Sequence, residues 1–211
     1  GLTVLEGYGL TETTAPAMIA RPSQIKIGKI GRTLPGCGVK IAADGEILLR
    51  GNNIMRGYWR NPQATADAFD GDWFRTGDIG ELDADGFLSI TGRKKELIVT
   101  AGGKNVAPAG LEDPLRAHPL IGQVVVVGDK KPFVSALVSL DSEMLPTWLR
   151  NHGGNDQLTI EQAATDPIVL KEVQTAIDKV NLNFSTAESI RKFVIINAEL
   201  TEGSGHLTPS L

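Results

Sequence analysis

The chain has 211 residues, 41% of them apolar, which is enough for one large or two small cores and excludes a disordered polymer. Its net charge of −4 argues against nucleic acid as the main partner, although a local basic patch can still hold a small polyanion. The single cysteine, Cys37, cannot form an internal disulfide, and no apolar run reaches the ~18 residues of a membrane span.

In chain order, Glu6-Gly7-Tyr8-Gly9-Leu10-Thr11-Glu12-Thr13 comes first, a glycine-rich turn running into hydroxyl and acidic side chains. Residues 28–92 read as strands and turns. Val39-Lys40-Ile41 and Glu46-Ile47-Leu48-Leu49-Arg50 flank the hairpin dipeptide Asp44-Gly45, and Phe87 to Thr91 follows a second such turn at Asp85-Gly86. Pro62 to Phe69 reads as a short helix capped by Asn61. Trp73-Phe74-Arg75-Thr76-Gly77-Asp78 lies between these elements. After Arg93 the texture changes. Ile98-Val99, Val124 to Val127, Phe133 to Leu140 and Ile190 to Asn197 read as strands. Leu111 to His118 is expected to be a helix that starts late or bends, because Pro114 lies inside it. Ser142 to Asn151 has a helical pattern with an internal Pro146. Asp166-Pro167 opens a long helix with apolar positions Leu170, Val173, Ile177, Val180 and Phe184.

Several side chains suit an anionic ligand. The run from Gly92 to Pro108 sets Arg93, Lys94, Lys95 and Lys104 around the glycine pair Gly102-Gly103, and basic groups beside free backbone N–H donors favour phosphate esters. It is equally the composition of a solvated turn. Tyr8, between Gly7 and Gly9, can offer an aromatic face to a base, or can be a core tyrosine. Thr11 is a neutral donor and Glu12 a hard oxygen ligand for Mg2+; Thr11-Glu12-Thr13 also reads as a helix cap with a first-turn acid. Asp78, after Thr76-Gly77, can accept from a cis-diol. His118, His152 and His206 show no metal spacing, and Trp59, Trp73 and Trp148 are expected to pack in the core or on the surface. Cys37 has no evident activating partner.

Taken in order, the Tyr8, Asp78 and Arg93 segments resemble the adenylate-forming superfamily of acyl-CoA synthetases, luciferase and peptide-synthetase adenylation domains. Gly45-Glu46-Ile47 and the stretch from Gly57-Tyr58-Trp59-Arg60-Asn61-Pro62 to Thr65 are similar to it too, so the resemblance covers nearly the whole chain. It implies an α+β fold. Residues 1–92 would be the end of a large adenylation domain, including a β-barrel-like subdomain. Residues 93–95 would be a hinge centred on Lys95, and residues 96–211 a small mobile α+β domain. It further implies a binding site for ATP and AMP from Gly7, Tyr8, Gly9, Thr11, Asp78 and Arg93, with Tyr8 packing on the base and Asp78 holding the ribose. Thr11, Glu12 and Arg93 would be catalytic, Glu12 would bind the metal, and Gly102 and Gly103 would line the path of CoA. Lys94 and Lys104 are expected to be solvated charges.

The ending His206-Leu207-Thr208-Pro209-Ser210-Leu211 is similar to the signature that precedes the catalytic lysine of long-chain fatty-acid–CoA ligases. The resemblance thus implies a parent enzyme that joins a fatty acid to CoA with ATP and Mg2+ through an acyl-adenylate. The phosphate-binding loop and the lysine are missing from these 211 residues, so the chain alone is expected to be inactive, with its first 27 residues poorly anchored. Two alternatives stay open: a fatty acyl-AMP ligase that loads a carrier protein, and a non-catalytic nucleotide-binding fragment. No signal peptide is legible, so a cytoplasmic setting with at most peripheral membrane contact is expected.

Overall fold

A computed structural model describes residues 2–197. The ending from His206 to Leu211 lies outside the described residues. The fold class is α+β, and the chain divides into two compact units, Gly1–Lys95 and Glu96–Leu211.

In the first unit, β1 (Gly7–Tyr8), β2 (Met18–Ile19) and β3 (Arg32–Thr33) form a small antiparallel sheet. A larger sheet follows. β4 (Cys37–Ile41) and β5 (Glu46–Gly51) are the arms of the Asp44-Gly45 hairpin, with Val39 opposite Leu49 and Ile41 opposite Ile47. After α1 (Pro62–Asp67), whose Asn61 cap accepts from the Ala64 N–H at 3.1 Å, β6 (Phe69–Asp70) turns into the long β7 (Trp73–Leu82). β7 pairs with β5, with β6 and with β8 (Leu88–Arg93), all antiparallel. β5 is buried at four successive residues, Glu46 to Leu49. Such a strand is covered on both faces, so a charge within it must find partners inside.

The expectation of a poorly anchored start is corrected from Gly7 to Ala20. Tyr8, Ala17 and Met18 share a core with Ile47, Leu49 and Leu88. The Ala17 N–H donates to the Tyr8 carbonyl and the Ala20 N–H to the Glu6 carbonyl, both at 2.8 Å. The small sheet has found its apolar partner within the first unit.

The second unit begins with β9 (Ile98–Val99) and β10 (Asn105–Val106), joined through Gly102-Gly103. Then come α2 (Pro108–Arg116), β11 (Ile121–Val127) and β12 (Val134–Leu140). The helices α3 (Met144–Asn151), α4 (Ile160–Ala163) and α5 (Pro167–Asn181) carry the crossover that lets β13 (Ile190–Ile195) run parallel to β12. Leu111 and Leu115 of α2, Val169, Val173 and Ile177 of α5, and Val124, Val134 and Val138 of the sheet form one core.

Two helix starts differ from expectation. α2 begins at Pro108, earlier than Leu111, because proline is favoured in a first turn where its missing N–H has no partner to lose. Pro114 sits two residues before the end of α2, so it deletes a single i→i−4 bond, the one to Gly110, and the helix tolerates it. α3 starts at Met144, after Ser142, which places Pro146 in its first turn. Phe184 lies past the end of α5 but packs against the same core. No helix among the described residues is long and apolar enough to cross a membrane.

Candidate functional site

Asp78 is placed by a break in strand pairing. Glu46 of β5 faces Ile79 of β7, yet Leu48 faces Arg75, so two steps along β5 correspond to four along β7. The surplus is a β-bulge over Thr76, Gly77 and Asp78, and bulges of this kind re-aim side chains beside sites. Gly77 takes φ +74°, a left-handed value that a side chain would strain. The backbone groups freed by the bulge find side-chain partners. Thr76 Oγ1 donates to the Ile47 carbonyl at 2.7 Å and accepts from the Asp78 N–H at 3.1 Å. The Gly77 N–H donates to Glu46 Oε1 at 3.0 Å.

The Asp78 carboxylate, 6% exposed, is held at both oxygens. Tyr8 Oη donates to Oδ2 at 2.6 Å, and Arg93 Nε donates to Oδ1 at 3.1 Å. Arg93 stands directly opposite Asp78 in the β7–β8 pair, so register alone brings the two together. Its side chain is 60% exposed, leaving the guanidinium at the surface of the site. The Tyr8 hydroxyl is pushed well above its usual pKa, first by burial and then by its bond to Asp78, so it remains a donor. The tyrosine ring is in the core and only 7% exposed. Core packing is one of the two readings that the sequence leaves open for Tyr8, and its hydroxyl meets the Asp78 carboxylate from that position.

Gly7 and Gly9, on either side of it, line an open cleft of about 640 Å³ with Leu10, Thr11, Glu12, Ala15, Pro16 and Arg93. Gly9 has to be glycine, because a Cβ there would lie 2.4 Å from the Ala15 carbonyl oxygen. Thr11 and Glu12 occupy a single 3-10 turn, Thr11–Thr13. Buried Thr13 closes it, exchanging hydrogen bonds with the Leu10 N–H and carbonyl. The turn is tied to the loop after β5 by the Met55 N–H on the Glu12 carbonyl at 2.7 Å and by Asn53 Nδ2 on the Thr13 carbonyl at 3.1 Å. Thr11 is exposed, and Tyr58 Oη donates to Glu12 Oε1 at 2.9 Å. Gly7, Tyr8, Gly9, Thr11, Glu12, Asp78 and Arg93 are therefore gathered in the first unit. Glu12 is a single carboxylate at the cleft wall, a donor set that suits Mg2+ bound mainly through phosphate oxygens and water.

Lys95 is exposed, in a 3-10 turn over Lys94–Glu96. Gly102 and Gly103 belong to the second unit, on the β9–β10 turn, where the Gly103 N–H donates to the Thr100 carbonyl at 2.8 Å. An ideal Cβ on Gly103 would meet nothing within 4 Å. Lys94 is not the solvated charge expected: its Nζ reaches Asp44 at 2.6 Å and the buried Glu46 at 2.8 Å. Lys104 is exposed, with its Nζ 3.2 Å from Glu188. Trp148 is buried against His152, Trp73 lies under Lys40 and Arg50, and Trp59 is 86% exposed. Cys37 Sγ is 3.2 Å from Asn53 Oδ1.

Tyr58, Thr76, Glu46 and Lys94 were not singled out as site residues from the sequence. Tyr58 and Thr76 sit inside motif-like segments and could have been. Glu46 and Lys94 sit in motif-like segments as well, but nothing local names their partners, which come from distant strands.

A buried carboxylate aimed by a bulge and held by Tyr8 and Arg93 beside an open cleft is suited to gripping a polar ligand. Residues 1–59 match the AMP-binding enzyme family and residues 95–208 match the AMP-binding enzyme C-terminal domain, and these matches show that the chain belongs to the AMP-binding enzyme family. The chain is 53% identical over 211 residues to the long-chain-fatty-acid–CoA ligase FadD15 of Mycobacterium tuberculosis, covering 100% of this chain and 35% of that protein. It is 35% identical over 210 residues to the putative fatty-acid–CoA ligase fadD11 of the same organism, covering 99% of this chain and 36% of that protein. Among solved structures, O-succinylbenzoate coenzyme A synthetase (MenE) of Bacillus subtilis, in complex with ATP and magnesium ion, matches with a TM-score of 0.67 at 26% identity. That match covers 92% of this chain and 38% of MenE. The chain thus spans 35% and 36% of the two curated relatives.

Proposed function

We propose that this chain is the nucleotide-gripping and mobile-domain portion of an ATP-dependent long-chain fatty-acid–CoA ligase. The observation that carries the reading is the Tyr8–Asp78–Arg93 arrangement beside the Thr11–Glu12 turn, in a chain 53% identical throughout to FadD15. In the first half-reaction a carboxylate oxygen of the fatty acid attacks the α-phosphorus of ATP. The P–O bond to pyrophosphate breaks, and acyl-adenylate forms. In the second, the thiol of CoA attacks the acyl carbon, loses its proton, and AMP leaves.

Within that scheme Asp78 accepts the ribose hydroxyls, with its orientation fixed by Tyr8. Arg93, already beside Asp78, presents its guanidinium to ribose or phosphate oxygens. Gly7 and Gly9 let the nucleotide approach the backbone closely. Thr11 donates to a phosphate oxygen, and Glu12, steadied by Tyr58, holds the Mg2+. The ion supplies charge neutralisation on the phosphates. Residues 1–92 serve as the end of the large domain. Residues 93–95 serve as the hinge, with Lys95 at its pivot, and residues 96–211 as the small domain, whose Gly102 and Gly103 leave room for the pantetheine arm of CoA. The enzyme works in the cytoplasm, with at most peripheral contact with a membrane.

The test uses the protein at the length of its relatives. It is expected to catalyse ATP–pyrophosphate exchange that depends on a long-chain fatty acid, and to yield acyl-CoA once CoA is added. The 211-residue chain alone is expected to give neither. Transfer to a holo carrier protein with no transfer to CoA would overturn the ligase reading. Exchange by the 211-residue chain would overturn the view that it needs the rest.

A further inference from the structure

Glu46 is the buried charge of β5, 3% exposed, and both its oxygens are engaged. Oε1 accepts from the Gly77 N–H at 3.0 Å and Oε2 from Lys94 Nζ at 2.8 Å. The first bond fixes the bulge residue immediately before Asp78. The second fixes the residue immediately after Arg93. Lys94 also binds Asp44 at 2.6 Å, and the Asp44 side chain accepts from the Glu46 N–H at 3.2 Å, which closes the group at the tip of the β4–β5 hairpin.

We infer that Glu46 and Lys94 are positioning residues, a latch that locks the Asp78 bulge to the Arg93 end of β8 and anchors the chain up to Lys94. The inference rests on the ribose-binding reading of Asp78 given above. The Asp78–Arg93 contact is a cross-strand pair in which one partner is exposed, and such a pair by itself holds its geometry weakly. Glu46 adds a charge-assisted bond to each flank from within a dry strand, where such bonds are strongest. No bond of the latch involves a residue beyond Lys94. Any turn of the chain at Lys95 therefore starts from a fixed residue and leaves the ribose carboxylate in place. The Lys94 ammonium is held charged above its ordinary pKa, first by Asp44 and then by Glu46.

The alternative is that Glu46 and Lys94 merely stabilise the hairpin, and two readouts separate it from a latch. In the relative-length protein, Lys94→Met and Glu46→Gln are each compared with wild type and with the conservative Lys94→Arg. Hydrogen exchange at the Gly77 and Asp78 amides is expected to quicken about 10-fold or more in Lys94→Met, with β11 amides unchanged, and to return toward wild type in Lys94→Arg. Wild type is expected to prefer ATP over 3′-deoxy-ATP about 10-fold or more in KM, and Lys94→Met to lose most of that preference. A lower melting temperature with unchanged bulge exchange and unchanged ribose preference would overturn the latch. Wild type with no preference for ATP over 3′-deoxy-ATP would instead overturn the ribose reading of Asp78, and the exchange rates alone would then decide the latch.

Discussion

Tyr8 shows how a single side chain can serve core and site together. Its ring fills apolar space with Met18 and Leu88, while its hydroxyl is one of two donors on the buried Asp78 carboxylate. Tyr8→Phe keeps the packing and removes the donor, leaving a buried carboxylate oxygen short of a partner. The expected cost is about 1–3 kcal/mol in the stability of the first unit, read by chemical denaturation. The same variant has a pH signature. The folded-state pKa of Tyr8 is raised above the ordinary value of 10.0. The unfolded chain therefore gives up this proton first as pH rises through 10, while the native state keeps it. Stability falls with pH wherever the native state binds more protons. The hydroxyl's contribution is complete below pH 10 and fades above it, so wild type should lose stability faster in alkali than Tyr8→Phe. Equal alkaline slopes for the two proteins would show that the hydroxyl is not held as a donor.

Among the elements, β7 and α5 behave in opposite ways. The β7 bulge exists only because β5 and Glu46 lie beside it; the sequence Arg75-Thr76-Gly77-Asp78 supplies a turn-former but cannot state which bonds the turn makes. α5 is written locally. Asp166 caps it, accepting from the Ile168 N–H at 2.9 Å and the Val169 N–H at 3.2 Å, and Pro167 fills the first position. Its period of Val169, Val173, Ile177 and Val180 faces the core. Asp166→Ala should lower the stability of the second unit by about 1 kcal/mol, and Asp166→Asn by much less, measured by denaturant midpoint. An Asp166→Ala midpoint equal to that of wild type would mean that the cap bonds are exchanged for water without loss.

At the scale of the whole molecule, the described residues form two cores, one in each unit. The second unit encloses a single apolar cluster that runs from Ile98 to Ile195 and draws on strands and helices alike. A unit with its own continuous core should unfold as one. Residues 96–211 made alone are expected to give a single cooperative transition by calorimetry, and a gradual, non-cooperative melt would contradict this. The first unit has a smaller core, in which the Tyr8 segment is an integral part rather than a loose end.

The sequence by itself determined the Asp44-Gly45 hairpin, the cap of α5, and the ordered motifs that carry Tyr8, Thr11, Glu12, Asp78 and Arg93, whose family resemblance implied the α+β class. These are local signals: a turn dipeptide, a cap and a periodic face act over a few residues, and a motif keeps its spacing in the chain. The tertiary structure alone decided that Tyr8 serves Asp78 through its hydroxyl, that Asp78 and Arg93 face each other across two strands, and that Glu46 and Lys94 close on the bulge. Each depends on strand register or on burial from both faces of a sheet. Packing of the small sheet against the large one brings together residues 70 positions apart, as it does Tyr8 and Asp78, and no local pattern of side chains encodes a partner at that distance.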